Sequence, residues 1–154
     1  MARLDRMSEA ERQHVEQVVC PTFSSQPWVT GPPLAERRVA IVSTAGLHRR
    51  GDRPFSFDAG DGYRVIPGDI AAADLVMTHV SANFDRSGFL LDWNVVFPVD
   101  RLREMAADGI IDSVAACHFS FMGAHDETAV EEQARKVAAI MKQDGVNAVL
   151  LVPV

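Results

Sequence analysis

Three arginines, Arg49, Arg50 and Arg53, fall in one five-residue stretch just after an apolar, β-branched run. A guanidinium is a planar fork of N–H donors that matches a carboxylate in a bidentate way, so such a cluster beyond a strand end is a candidate anchor for a small acid; the other reading is a solvated surface loop. His48, His79 and His118 each follow a stretch that reads as a strand. Imidazole titrates near neutrality, so three histidines brought to one crevice would serve as acid–base groups or ligands, while each alone is equally at home as a hydrogen-bonded structural residue. They form no HExxH or HxH spacing, and spacing therefore assigns no metal. Cys117 beside His118 suggests a thiol next to a base, but neighbours on a strand point to opposite faces, which favours a buried inert thiol. Cys20 reads as an incidental thiol. Asp85, Asp92 and Asn94 either orient His79 or cap the backbone of an irregular loop. No Walker or GxGxxG glycine pattern supports a nucleotide.

Composition narrows the classes. With 154 residues and 47% hydrophobic side chains the chain holds one domain's worth of core and does not read as disordered. Its net charge of -6 is the wrong sign for neutralising a phosphate backbone, so no nucleic acid is expected. Two cysteines without a CxxC are too few for a disulfide framework, which suits the cytoplasm. No segment reaches about 18 uninterrupted apolar residues, and no membrane partner is expected.

The elements that must position these residues follow from pattern. Ser8 and Glu11 form a capping box ahead of a helix over 8–19, and four prolines make 20–33 a connector, so 1–33 is read as helix plus linker and 34–154 as the folded domain. Buried strands are expected at 38–43, 74–80, 110–116 and 146–154. Between the first two lies a long loop with a turn at Gly60 to Gly62. One helix starts near Asp100 and stops at Gly109; another runs from the Thr128–Glu131 capping box to Gly145, with Val130, Ala134, Val137, Ala138 and Met141 on one stripe. This alternation predicts a three-layer α/β domain with an open, mostly parallel sheet of the flavodoxin or Rossmann kind, whose ligands sit beyond the carboxyl ends of the strands. The last strand is expected to be bare. Its apolar end costs roughly 25 cal/mol per Å² left in water, so it lies at an edge, is buried in an oligomer, or is continued by further chain.

The segments VSTAGLHRRGDRPF, YRVIPGD, HVSANFDRSGF, DWNVVFPVDRLREMAADGIIDSVA, HFSFMGA and DGVNAVLLVPV resemble the small selenoprotein B family of glycine, sarcosine, betaine and D-proline reductases, from about Arg38 to Val154. In that family the strand similar to VNAVLLVPV is followed at once by a selenocysteine or cysteine. The resemblance thus implies a chain read only to a UGA codon, a fold incomplete at its C-terminus, and no cofactor beyond that chalcogen. It also implies reductive cleavage of a C–N bond in a glycine-, betaine- or proline-like substrate, with reductase partner subunits. Such chemistry needs a deprotonated nucleophile, a holder for the substrate carboxylate and a proton for the leaving amine. On this reading His79, His118 and Asp85 are catalytic, and His48, Arg49, Arg50, Arg53, Asp92 and Asn94 bind substrate. A homo-oligomer is expected from the apolar last strand. Two other readings stay open: a noncatalytic α/β module that binds a small carboxylate or completes a partner's sheet, and thiol chemistry by Cys117 with the histidines.

Overall fold

The computed structural model describes residues 4–17, 22, 24, 26, 28–56, 62–81, 84–123 and 127–154. They divide into two units, Met1–Thr30 and Gly31–Val154. In the first, helix α1 (Glu9–Glu16) opens on a reciprocal cap. The Ser8 amide and hydroxyl donate to Glu11 Oε2 at 2.9 and 2.7 Å, and the Glu11 amide donates back to Ser8 Oγ at 3.3 Å. The expected helix residues 18 and 19, and Cys20, lie outside the described residues.

In the second unit a β-branched run becomes the central strand β1 (Arg38–Ser43). Strand β7 (Ala148–Val152) pairs with it in parallel over Val39–Ser43. On its other side β5 (Ser113–Val114) and β6 (Cys117–Ser120) follow end to end, also parallel, beside Arg38–Val39 and Val42–Ser43. Strand β3 (Arg64–Pro67) closes the far edge antiparallel to β6. Because side chains alternate along a strand, Val39 and Ile41 face one layer and Val42 the other. The first layer is helix α3 (Val99–Ala107) with Phe97, Leu102 and Ile111; the second is α4 (Glu131–Gln143), whose Val137, Ile140 and Met141 pack with Phe119 and Phe121. The result is the expected three-layer α/β arrangement around a mostly parallel sheet. Gly109 and Gly145 follow α3 and α4 at φ +69° and +72°, the left-handed region glycine enters without steric cost.

Several expectations are corrected. The run 74–80 is not a parallel strand of the main sheet. It gives a short β4 (Leu75–Met77), antiparallel to β2 (Leu47–Arg49) in a separate two-stranded sheet. The connection between them holds β3 but, among its described residues, no α-helix of the kind a parallel crossover usually uses. The segment 44–64, read as loop, thus contains β2 and the first residue of β3. The strand expected at 110–116 is ordered as β5 only at Ser113–Val114, and β6 continues through Ser120. Buried polar residues His118 and Ser120 disguised that continuation. The Thr128 side chain and the turn residues 57–61 are outside the described set. A short helix α2 (Ser87–Leu91) precedes α3. Among the described residues no helix is long and apolar enough to cross a membrane.

Candidate functional site

The carboxyl ends of β1, β6 and β7 meet around Thr44. The Thr44 amide donates to the Val152 carbonyl at 3.1 Å. Its hydroxyl accepts the Val154 amide at 2.8 Å and donates to the Val154 carbonyl at 3.4 Å, so one side chain grips both polar atoms of Val154. Beyond β6 the Gly123 amide donates to the Thr44 carbonyl at 2.9 Å. A Cβ on Gly123 would stand 2.8 Å from the Val154 oxygen and 3.0 Å from Thr44 Cβ. A glycine is what lets these backbones touch. Gly46, at φ +65°, lies beside them: its added Cβ would meet Met122 Cε at 2.8 Å and the His79 backbone at 3.1 Å. The Gly46 amide donates to the Phe121 carbonyl at 3.0 Å, and Thr78 donates to the Gly46 carbonyl at 2.9 Å, bringing the end of β4 to the same rim.

His79 therefore stands at this rim. It is buried; Nδ1 accepts the Ser81 amide at 3.2 Å, and Nε2 has no hydrogen-bond partner among the described residues. Because Nδ1 is an acceptor, the proton sits on Nε2. Burial, reinforced by the Arg86 guanidinium, pushes the imidazole pKa below its usual value, so the ring is neutral near pH 7. A neutral Nε2–H is a hydrogen-bond donor to an anion rather than a ready acid.

The other two histidines sit inside strands, not in loops after them. His118 is a residue of β6, fully buried against Phe97 at 5.3 Å between ring centroids, and its Nδ1 accepts the Ile41 amide at 3.0 Å. His48 lies in β2 opposite Val76, with Nδ1 3.0 Å from the Arg49 carbonyl. Among the described residues no three His, Cys, Asp or Glu side chains gather as metal ligands do.

Arg49 and Arg50 lie at the far end of β2, about 10–13 Å from Gly46 at some 3.3 Å per residue. Arg49 pairs with Asp52 at 3.3 Å, and Arg50 Nε and Nη2 donate to the Ala73 carbonyl at 3.1 and 2.8 Å. The Arg53 carbonyl accepts Arg64 Nε at 2.9 Å. Asp85 caps α2, accepting the Ser87 amide at 2.9 Å and its hydroxyl at 2.5 Å. Asp92 accepts the Asn94 amide and Nδ2, each at 2.9 Å, and Asn94 Oδ1 accepts the Asp100 amide at 3.1 Å. Asp100, where the sequence starts α3, lies in its first turn, and its amide is capped by Asn94 because Pro98, just before the helix, has no side chain that bonds there. Cys117 is half-buried in the cluster under α4, whereas His118 packs on Phe97, as strand alternation requires.

Reasoning from chemical residue types missed Thr44, Gly46, Gly123 and Arg86. The available signal was a glycine within a few residues of each strand end, in TAG and FMG, and the arginine of NFDR.

Residues 14–154 match the family model described as glycine/sarcosine/betaine reductase selenoprotein B. The chain is 33% identical over 133 residues to the D-proline reductase subunit gamma of Acetoanaerobium sticklandii, an alignment covering 80% of this chain and 54% of that protein. It thus spans about half the length of the curated relative it matches. No solved structure matches it significantly. With the match running through all three strand ends that build the rim, the chain belongs to the glycine/sarcosine/betaine reductase selenoprotein B family.

Proposed function

We propose that this chain forms the α/β part of a cytoplasmic reductase that cleaves a C–N bond of a small glycine-, betaine- or proline-like substrate, with a selenocysteine or cysteine directly after Val154. The observation that carries this reading is the grip on Val154. Thr44 holds both its polar atoms and Gly123 lies against its carbonyl, so a residue joined there begins at the rim where β1, β6 and His79 meet. Reductive C–N cleavage consumes two electrons and delivers a proton to the carbon; an amine nitrogen takes a second proton as it leaves, whereas a quaternary nitrogen departs neutral without one. The electrons come from a reductase partner, in keeping with the relative's name as a subunit. His79 donates Nε2–H to an anionic group of the site, either the substrate carboxylate or the chalcogenolate, and so favours the reactive deprotonated form. Arg53 is the further carboxylate holder in this reading; Arg49 and Arg50, held by Asp52 and the Ala73 carbonyl at the far end of β2, are not.

The test has two parts. The codon after Val154 is expected to be UGA or a cysteine codon with the frame continuing; a UAA or UAG stop, or another sense codon, ends the proposal. A cysteine appended after Val154 is expected to react with iodoacetamide at pH 7 at least tenfold faster than free cysteine, and more slowly in His79→Gln. A rate equal to that of Cys117 in the same chain would favour the second reading, a noncatalytic subunit whose exposed β7 edge completes a partner's sheet.

A further inference from the structure

Arg86 turns back onto the loop that carries His79. Its Nη2 donates to the carbonyls of His79 and of Ser81, the latter at 3.2 Å, and its Nη1 donates to the Phe84 carbonyl at 3.3 Å. These are the residues that define the imidazole. The Ser81 amide holds Nδ1, and the Phe84 ring packs 4.7 Å from the imidazole centroid. Arg86 is itself anchored by its place before α2, whose first turn is capped by Asp85 through Ser87. A guanidinium has donors at several points of a rigid plane and spans three carbonyls; a lysine ammonium concentrates its donors at one point and does not.

We infer that Arg86 is a positioning residue: by gathering the carbonyls of His79, Ser81 and Phe84 it keeps the Ser81 amide on Nδ1 and thereby fixes the His79 proton on Nε2, the atom left for an anionic group of the substrate or nucleophile. Protonating Nδ1 would set one N–H against another. Among the described residues, the groups that face His79 are Gly46 from the end of β1, Met122 from the end of β6, and Ser81, Phe84 and Arg86 from its own loop; of these only Arg86 is charged. The guanidinium thus acts twice, by geometry on the tautomer and by charge on the titration.

The functional meaning of this fixed tautomer rests on the reading that His79 serves the reaction rim, but the tautomer itself is measurable without activity. Long-range proton–nitrogen NMR of the chain, with the His79 signals assigned by their loss in His79→Gln, is expected to show a single Nε2–H form at pH 7.5 and a midpoint below the ordinary 6.5. Arg86→Gln is expected to populate both tautomers and raise the midpoint. Arg86→Lys, which retains charge, is expected to mix the tautomers while the midpoint stays low. The His118 signals report whether the sheet is intact. A folded Arg86→Gln or Arg86→Lys protein in which His79 stays wholly in the Nε2–H form would overturn the inference, and so would failure of both variants to fold, which would make the arginine a structural brace. Tautomers that respond as expected, with an appended cysteine that is no more reactive than free cysteine, would instead break the functional reading and leave the positioning role standing.

Discussion

His118 takes a place in the sheet that a backbone carbonyl normally fills. Pairing beside β1 breaks between Val114 and Cys117, and there the Ile41 amide donates to the imidazole Nδ1 at 3.0 Å. Burial holds the pKa of this histidine down at about 4; Arg103 and Arg38 push the same way, and Asp144 opposes them. Since the unfolded chain's histidine titrates near 6.5, the unfolded state binds the proton more readily between those values. The neutral ring's contribution is complete above pH 6.5 and is lost as pH falls towards 4, an effect of about 3 kcal/mol at 1.4 kcal/mol per pKa unit. His118→Asn keeps an acceptor for Ile41 but does not titrate. Its urea-unfolding free energy should therefore fall less between pH 7 and 4.5 than that of the unsubstituted chain, and an identical fall would show that another group is responsible. His118→Leu orphans the Ile41 amide and should cost about 1–3 kcal/mol at pH 7 through that group alone.

At the scale of elements, the DWN and DRLR segments act as one brace for the entry to α3. Asp100 accepts Trp93 Nε1 at 2.8 Å, Asn94 Nδ2 at 3.0 Å and Arg103 Nη1 at 2.7 Å, and Arg103 reaches on to the Gly68 carbonyl at 2.8 Å. Burial would raise the Asp100 carboxyl pKa, but the bonds from Asn94, Trp93 and Arg103 outweigh it and the group titrates below its usual value. Asp100→Ala strands two neutral donors and a guanidinium, and should cost about 2–3 kcal/mol in chemical denaturation while leaving the His79 tautomer unchanged. A loss below 0.5 kcal/mol would show that the brace is redundant. These segments also mark how far the sequence could be read. Their density of polar residues stood out, but acids and amides serve a site or a cap equally well, and only the partners' positions tell which. The same limit hid β6. Hydrophobic pattern finds strands whose buried positions are apolar, whereas His118 and Ser120 are buried because each receives a backbone amide, from Ile41 and Leu47 respectively. Strand β1, an unbroken apolar run, was legible to the residue. Helix α4 was legible in its body and its end at Gly145, but it starts at Glu131 after a 3-10 turn over Glu127–Val130, and Ala134 of the expected stripe is exposed.

Over the whole molecule, the three-layer order and the bare last strand were both legible, because they depend on long apolar patterns rather than single contacts. Strand β7 pairs only with β1 among the described strands, and Val149, Leu150 and Leu151 are 43%, 38% and 65% exposed. An edge that is apolar and carries unpaired backbone donors and acceptors is a template for another strand, and natural edges are commonly guarded by lysine. This one carries no charge between Ala148 and Val154. The net charge of -6 opposes close approach of two copies but is screened beyond about 8 Å at physiological salt, so it should not prevent contact at such an edge. The chain is therefore expected to self-associate with rising concentration in sedimentation velocity, more strongly as salt is added. Replacing both Leu150 and Leu151 by lysine should hold it monomeric, with a cost within about 1 kcal/mol because the outward positions lose little packing. Association undiminished in the double variant would place the contact elsewhere, and a chain monomeric at every concentration would mean that the edge is too short and twisted to recruit a second copy.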